Sequence, residues 1–372
     1  MRNLSAISLV SRNWQALTFP DLYRAGRAPD LEQLATRIVA NNSQLPISKH
    51  LRRLIVDQGP NCKYAGKAYS ISAEHLASLA TLLSAAPHLE HFAWELPFFL
   101  PIQNITENVR SRCLSLSSIH FLIEDSNCFW SEPYNQILAL TNLKHISLDI
   151  TCLRKTHDFD EDHAKALASL IRSCPEIQSI NLDFNSPHSR GGRWSPGVLC
   201  SHFDDVTFCH LDTFRALGGT DTDRFVYSAE NNPLHRFFLR HPNLHTIGLD
   251  WVPEAEYTRR IPPTLMGSLF PSIRHAEVPG FLCAHIIASE LAVQIESITI
   301  ADPFWNEPSG LSLDMISYSG RLMPNLRRLT FYPKLRHPDN LDGLKGILLL
   351  APELEVLELG KVFTRLVGGI YS

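Results

Sequence analysis

Apolar residues recur along this chain in a short unit, apolar-x-x-apolar-x-apolar, that repeats from the first quarter of the sequence to its end. Inside the unit the last apolar positions alternate with polar ones, which is the period of a β-strand with one buried face. The clearest copies are Leu89-Phe92-Trp94, Leu143-Ile146-Leu148, Ile177-Ile180-Leu182, Leu244-Ile247-Leu249, Ile295-Ile298-Ile300, Leu326-Leu329-Phe331 and Leu354-Leu357-Leu359. The weaker copies are Leu51-Leu54-Val56, Leu116-Ile119-Phe121, Leu211-Phe214-Ala216 and Ile273-Ala276-Val278.

The spacing of these eleven units is that of a repeat protein. Their middle apolar positions fall at 54, 92, 119, 146, 180, 214, 247, 276, 298, 329 and 357, so the intervals run from 22 to 38 residues. Most intervals match or slightly exceed the leucine-rich-repeat period of about 20–29 residues.

Prolines give a second, independent signal. Each stands two residues before the first apolar position of a unit, where it stops a preceding helix and releases the chain into a strand. Apolar residues ahead of several of them have helical spacing, for example Leu167, Leu170 and Ile171. The six prolines in this register are Pro87, Pro175, Pro242, Pro271, Pro324 and Pro352.

The two signals together predict an α/β leucine-rich-repeat solenoid, with a curved parallel sheet on the concave side and helices and loops outside. This irregular repeat domain of about eleven units covers residues 26–372, with its least regular boundaries in 186–232. Segments rich in proline, glycine, serine, asparagine and charge are predicted to be rim loops. They are 57–75, 152–165, 186–205, 220–232 and 252–264.

The first 25 residues form a separate segment with a helical pattern ended by Pro20. The stretch ISLVSRNW at 7–14, followed by PDLYR at 20–24, resembles the second half of an F-box, as found in fungal F-box/leucine-rich-repeat proteins. The resemblance implies docking on a Skp-type adaptor of a cullin ubiquitin ligase, with the repeats selecting a substrate. The matching adaptor-binding positions are Leu9, Val10, Trp14, Leu22 and Tyr23.

The first F-box helix, a Leu-Pro-led segment about twenty residues upstream in the family, has no counterpart after Met1. Two interpretations stay open. Either the sequence is a shortened version of a longer reading frame, or residues 1–25 serve as a helical cap over the first repeat.

Composition narrows the function classes. A net charge of −4, from 34 basic and 38 acidic residues, gives no reason to expect a nucleic-acid partner. Eight scattered cysteines without a CxxC pair favour thiols in a reducing compartment. There is no secretory signal pattern after Met1, and the apolar stretch 281–298 is broken by polar residues, so we expect an intracellular protein of the cytoplasm or nucleus without a membrane span.

Motifs for catalysis or metal binding are missing. The sequence has no GxSxG, GxGxxG, phosphate-binding loop or HExxH motif. The cluster from His157 to His163 offers cation ligands, but we interpret it as an acidic loop leading into a helix around 164–171. The pairs Cys200-His202 and Cys209-His210 match no zinc-finger spacing, so no metal and no cofactor are predicted.

A partner surface follows from strand alternation, which sends the residues between the apolar positions to the concave face. Carboxylates follow the last apolar position in five of the first seven units, and we predict that this row engages a basic segment of a protein partner. The alternative is that aspartate after a strand caps the following turn. The predicted face contains Asp57, Glu95, Asp149, Asp183 and Asp250, together with Arg53, His91, His145, Ser179 and Asn181.

The sequence therefore predicts a non-enzymatic protein-binding scaffold, the substrate-recognition subunit of a cullin-type ubiquitin ligase. Two other functions remain open. One is a free-standing leucine-rich-repeat interaction protein without a ligase link, and the other is a metal-dependent enzyme that uses the His157–His163 cluster.

Overall fold

A computed structural model describes eleven stretches of the chain: 25–27, 49–57, 73–96, 103–123, 135–150, 161–184, 194–217, 232–249, 263–300, 320–331 and 339–359. The chain divides into two compact units. The first unit is Met1–His157 with Ser169–Ile177, and the second is Asp158–Ala168 with Gln178–Ser372.

The first unit contains five parallel strands, each hydrogen-bonded to the next in chain order. The middle apolar residues of the repeats lie in register, with Leu54 beside Phe92, Phe92 beside Ile119 and Ile119 beside Ile146. The strands are β1 (Ala25–Arg27), β2 (Arg53–Val56), β3 (His91–Trp94), β4 (Ser118–Ile123) and β5 (His145–Ile150).

The second unit contains seven strands, again parallel wherever their pairing is described and again paired in chain order. Its register also follows the repeat, from Ile180 beside Phe214 to Leu329 beside Leu357. The strands are β6 (Ser179–Asp183), β7 (Thr213–Leu217), β8 (Thr246–Leu249), β9 (His275–Val278), β10 (Ser297–Ile300), β11 (Arg328–Phe331) and β12 (Val356–Leu359).

Nine of the eleven connections between successive strands contain a helix that the structure describes. The helices are α1 (Ala73–Ser84), α2 (Gln103–Arg112), α3 (Asn135–Leu138), α4 (Glu161–Arg172), α5 (Pro196–Ser201), α6 (Pro233–Arg240), α7 (Pro263–Leu269), α8 (Gly280–Ala288) and α9 (Asp339–Leu350), with a 3₁₀ turn at Glu290–Val293. All of them except the one-turn helix α3 bury residues at helical spacing, as α1 does with Leu79, Leu82 and Leu83, all 0% exposed.

The core of each unit lies between the strands and the helices. The three apolar positions of a repeat are buried in nearly every copy, and the spaces between them are filled by the apolar stripes of the helices. In the second unit the filling is aromatic, because Phe214 contacts both Phe237 and Phe238 with ring centroids 4.8 and 5.8 Å apart. Such a core makes each repeat depend on its neighbours.

The proline-containing turns have the predicted position. All six prolines lie in the turn before a strand, and five follow a described helix by two or three residues. The turn is closed by a hydrogen bond from the first apolar N–H to the carbonyl three residues earlier, as from Leu89 to Ala86 at 3.1 Å and Ile177 to Cys174 at 3.1 Å. Where the repeat has no proline, before Leu143, Asn142 adopts a positive φ of 59° that asparagine tolerates well.

Four of the segments predicted to be rim loops contain helical residues. Helix α1 begins inside 57–75, α4 inside 152–165 and α7 inside 252–264, while α5 lies wholly inside 186–205. Two of these helices start with a proline, which suits a first helical position because the N–H it lacks would have no partner there. The composition that suggested loops therefore occurs where helices begin. The loop prediction was wrong for these residues.

A parallel sheet with one in-register strand per L-x-x-L-x-L unit, connected through helices, is the leucine-rich-repeat fold, and the predicted fold class is confirmed. All eleven predicted units supply a strand. The additional strand β1, before the first leucine-rich unit, was not predicted because Ala25-Gly26-Arg27 has no apolar alternation.

Candidate functional site

The face of the sheet turned away from the core is the candidate site, and in the first unit it is built from three rows of side chains. Strand alternation defines them, and the pairing register places neighbours side by side. The first row is Arg53, His91, Ser118 and His145; the middle row is Ile55, Ala93, His120 and Ser147; the end row is Asp57, Glu95, Leu122 and Asp149.

Exposure differs along these rows. Arg53 and His145 are exposed, and every member of the end row is half-buried. Ile55 and Ala93 in the middle row are buried, at 8% and 1% exposure, although alternation places them on this face. On β2 and β3 the polar groups available to a partner therefore lie in the first and end rows, whereas on β4 and β5 the middle row adds the half-buried His120 and Ser147.

Histidine and serine side chains hold the centre of the face together. The Nδ1 atom of His91 lies 2.8 Å from the Ser118 hydroxyl, and the Nδ1 atom of His120 lies 2.8 Å from the Ser147 hydroxyl. Both pairs join adjacent strands in the same row. The Nε2 atom of His91 is buried without a hydrogen-bond partner.

The histidines of the first row are held in the neutral form at neutral pH. Burial is the main cause that lowers the pKa of His91 to about 4, and the positive charge of Arg53 adds to it. Burial also lowers the pKa of His145, followed by the charge of Lys144. Arg53 is therefore the permanent positive charge of this row.

Charged groups at opposite ends of this face lack partners of their own. In the part of the chain that the structure describes, the side chains of Arg53 and Glu95 form neither a hydrogen bond nor an ion pair. Arg53 lies at the start of β2, and Glu95 directly follows β3, so the two charges stand about four residues apart along the strands. Asp57 and Asp149, in the same end row as Glu95, each take part in an interaction.

The corresponding face of the second unit is occupied by internal pairs. Arg215 in β7 forms an ion pair with Glu277 in β9, and to do so it crosses β8 at Gly248. A Cβ atom at Gly248 would lie 2.8 Å from Cγ of Arg215, so only glycine leaves room for this crossing. Further along, Glu358 accepts a hydrogen bond from Thr330 at 3.1 Å.

Three predicted partner-binding residues lie at the start of this second face. Ser179, Asn181 and Asp183 are all half-buried in β6, and the Asn181 amide donates to the Ser179 hydroxyl at 3.0 Å. Asp250 lies outside the described residues, as do the predicted adaptor-binding residues Leu9, Val10, Trp14, Leu22 and Tyr23. The carboxylate row is thus placed for Asp57, Glu95 and Asp149 in one unit and for Asp183 in the other.

Sequence reasoning missed the serine and histidine partners of this face. Ser118, His120 and Ser147 occupy the same repeat positions as the residues that were predicted, so the register contained the signal. It was missed because each residue was read within its own repeat, whereas the hydrogen bonds run between repeats.

The metal-binding candidates are not brought together. Among the described residues, no group of three or more histidine, cysteine, aspartate or glutamate side chains is placed to hold a metal ion. Glu161, at the start of α4, lies 2.9 Å from Nε2 of His202, and Cys200 is fully buried. The rest of the 157–163 cluster before Glu161 lies outside the described residues. No helix in the described ranges has the length and apolarity to cross a bilayer.

No protein-family model and no curated protein matches the chain. Among solved structures it is similar to the leucine-rich repeat-containing protein LegL7 from Legionella pneumophila, at 13% identity and a TM-score of 0.44, over 79% of this chain and 87% of that one. It is also similar to an internalin from Listeria monocytogenes, at 11% identity and a TM-score of 0.33, over 85% and 69% of the two chains. A third similar structure is the Rad7 and Elc1 complex of yeast, at 11% identity and a TM-score of 0.43, over 96% and 88%.

Proposed function

We propose that this chain is a protein-binding scaffold that holds a partner on the sheet face of its first unit. The observation that supports it best is the contrast between the two faces. In the second unit Arg215 and Glu277 neutralise each other, whereas Arg53 and Glu95 in the first unit have no partner among the described residues. Charged groups on a sheet gain from an opposite charge nearby, and a partner can supply it.

The size and charge of the face suit a protein partner. The rows extend over four adjacent strands, so each is about 14 Å long. Both signs of charge are present, which does not match the uniform negative charge of a nucleic-acid backbone. A segment of a folded or extended polypeptide can satisfy both signs along such a length.

The end row selects a basic segment. Asp57, Glu95 and Asp149 supply carboxylates along one edge, and Leu122 stands between the last two in the row. The aliphatic stem of a lysine or arginine can pack on Leu122 while its charged head reaches a carboxylate.

The finer proposal is that the partner is a substrate, and that residues 7–24 connect the chain to a cullin ubiquitin ligase through a Skp-type adaptor. It rests on the F-box resemblance of that segment alone. Ubiquitin transfer would be carried out by other subunits, so the chain itself needs no catalytic group.

The two levels are tested separately. Full-length chain and a variant with Trp14→Ala and Val10→Asp are mixed with a purified Skp-type adaptor. Retention of the adaptor by the parent chain and loss in the variant support the ligase link. If both chains retain the adaptor, or if neither does, the result contradicts the ligase link. The chain is then a free-standing scaffold.

The scaffold is tested by quantitative partner capture from cells. Proteins recovered with the parent chain are compared with those recovered with Glu95→Lys and with Glu107→Lys, a control on the exposed surface of α2. Partners that disappear with Glu95→Lys but persist with Glu107→Lys support binding on this face. An identical set for all three chains contradicts it.

A further inference from the structure

The first and end rows carry opposite charge at a fixed separation, and that separation limits what can bind. Arg53 opens β2 and Glu95 closes the neighbouring strand β3, so their Cα atoms are four residues apart along the strand and one strand apart across it. With about 3.3 Å per residue and about 4.8 Å between strands, the Cα separation is about 14 Å.

We propose that the first unit recognises an extended peptide segment in which an acidic residue and a basic residue stand about four positions apart. The acidic residue pairs with Arg53 and the basic residue with Glu95. This inference rests on the proposed function, because it specifies the partner of the same face.

The Cα separation of Arg53 and Glu95 indicates that the bound segment is extended. In an extended chain, about 14 Å is spanned by about four residues, whereas in a helix the same span takes about nine residues. Between the two charges the middle row is formed by Ile55 and Ala93, which are apolar and only 8% and 1% exposed. The segment therefore contacts this face through its two charged residues, and these set its register.

The acidic residue is a carboxylate. Arg53 is a single permanent charge, and His91 beside it and His145 at the far end of the row are neutral at pH 7, so the row matches the single negative charge of aspartate or glutamate. A phosphorylated side chain carries about −1.5 to −2 at neutral pH and would leave charge uncompensated.

The test is a selection of random displayed peptides on three full-length chains. They are the parent, the charge-swapped variant Arg53→Glu with Glu95→Lys, and a control, Arg110→Glu with Glu107→Lys, which makes the same exchange on the surface of α2. Thermal unfolding of all three establishes that they are folded. Dissociation constants of selected peptides, and of copies with phosphoserine in place of the acid, are then measured.

We expect the parent and the control to enrich an acidic and a basic residue with about three residues between them, and the charge-swapped variant to enrich the same pair in the opposite order. Removing either charged residue from a selected peptide should weaken binding about tenfold, which corresponds to about 1.4 kcal/mol per contact. The phosphoserine copy should not bind more tightly at neutral pH.

Two results overturn the inference. Enrichment of basic residues alone by the parent and the control, lost in the charge-swapped variant, leaves the proposed scaffold function intact and removes the paired-charge rule. Enrichment of the same peptides by all three chains, or of a pair with helical spacing, also removes it. Failure of the scaffold function itself appears in the capture experiment, as a partner set that Glu95→Lys does not change.

Discussion

Acid sensitivity of the second unit should depend on His241, the buried histidine that follows α6. Its Nε2 accepts the Phe208 N–H at 2.9 Å, and its Nδ1–H therefore donates to the Phe237 carbonyl at 2.6 Å. The imidazole also lies against the rings of Phe208 and Phe237, with centroids 5.7 and 4.3 Å away. A proton on Nε2 would break the first hydrogen bond and place a charge among aromatic rings.

The size of the effect follows from the two protonation states. Burial lowers the pKa of His241 from 6.5 to about 4, and the charge of Arg240 contributes in the same direction. Because the folded-state pKa is depressed, the neutral form is favoured on folding, and this contribution is complete above pH 6.5 and declines as the pH falls towards 4. At about 1.4 kcal/mol per pH unit, the full loss is about 3 kcal/mol, of which about 2 kcal/mol is lost by pH 5.

The assay is urea unfolding of the parent chain and of His241→Gln at about pH 7.5 and about pH 5, with His88→Gln, an exposed turn histidine, as control. At the higher pH we expect His241→Gln to be less stable by about 1–3 kcal/mol, since Phe208 N–H loses its acceptor. At the lower pH the difference from the parent should shrink by about 2 kcal/mol. A difference that stays constant between the two pH values would show that protonation of His241 does not destabilise the folded chain.

Three further predictions concern packing. Gly248→Val should lower the free energy of unfolding by about 1–3 kcal/mol, because its side chain overlaps that of Arg215, and adding Arg215→Ala should recover part of the loss. Phe237→Ala, at a fully buried ring, should cost about 3–5 kcal/mol in urea unfolding, and a cost below about 1 kcal/mol would contradict the aromatic core. The Cys113 thiol, whose pKa is raised to about 12 by burial, should resist a thiol reagent in the folded protein, whereas the exposed Cys209 should react at once.

Much of the fold was predictable because the period of a leucine-rich repeat is visible in the sequence as a regular spacing of apolar residues. Residues such as Leu54, Phe92 and Ile119 occupy equivalent positions, and equivalence became strand register in the structure. Helix starts were harder to predict. Pro196 and Pro263 read as loop residues, and only the helices that follow show that they fill first helical positions.

The position of the candidate site could be predicted from the sequence, but the hydrogen bonds and ion pairs between its side chains could not. Alternation placed Arg53, His91 and Glu95 on one face from the sequence alone. The His91–Ser118 hydrogen bond and the Arg215–Glu277 ion pair join residues 27 and 62 positions apart, and a pattern within one repeat holds no information about them. Which charges remain without partners could be seen only after those pairs were assigned.

The proposed function depends most on binding of a protein partner by the carboxylates in the end row of the first unit. The direct measurement is the affinity of a captured, purified partner for the parent chain, for Glu95→Lys and Asp149→Asn singly and together, and for Glu107→Lys, with thermal stability recorded for each. We expect the affinity to fall at least tenfold in the double variant and its salt dependence to weaken, whereas Glu107→Lys should change neither. Unchanged affinity combined with lower stability in the double variant would contradict the proposed function, and would assign these carboxylates to capping the ends of their strands.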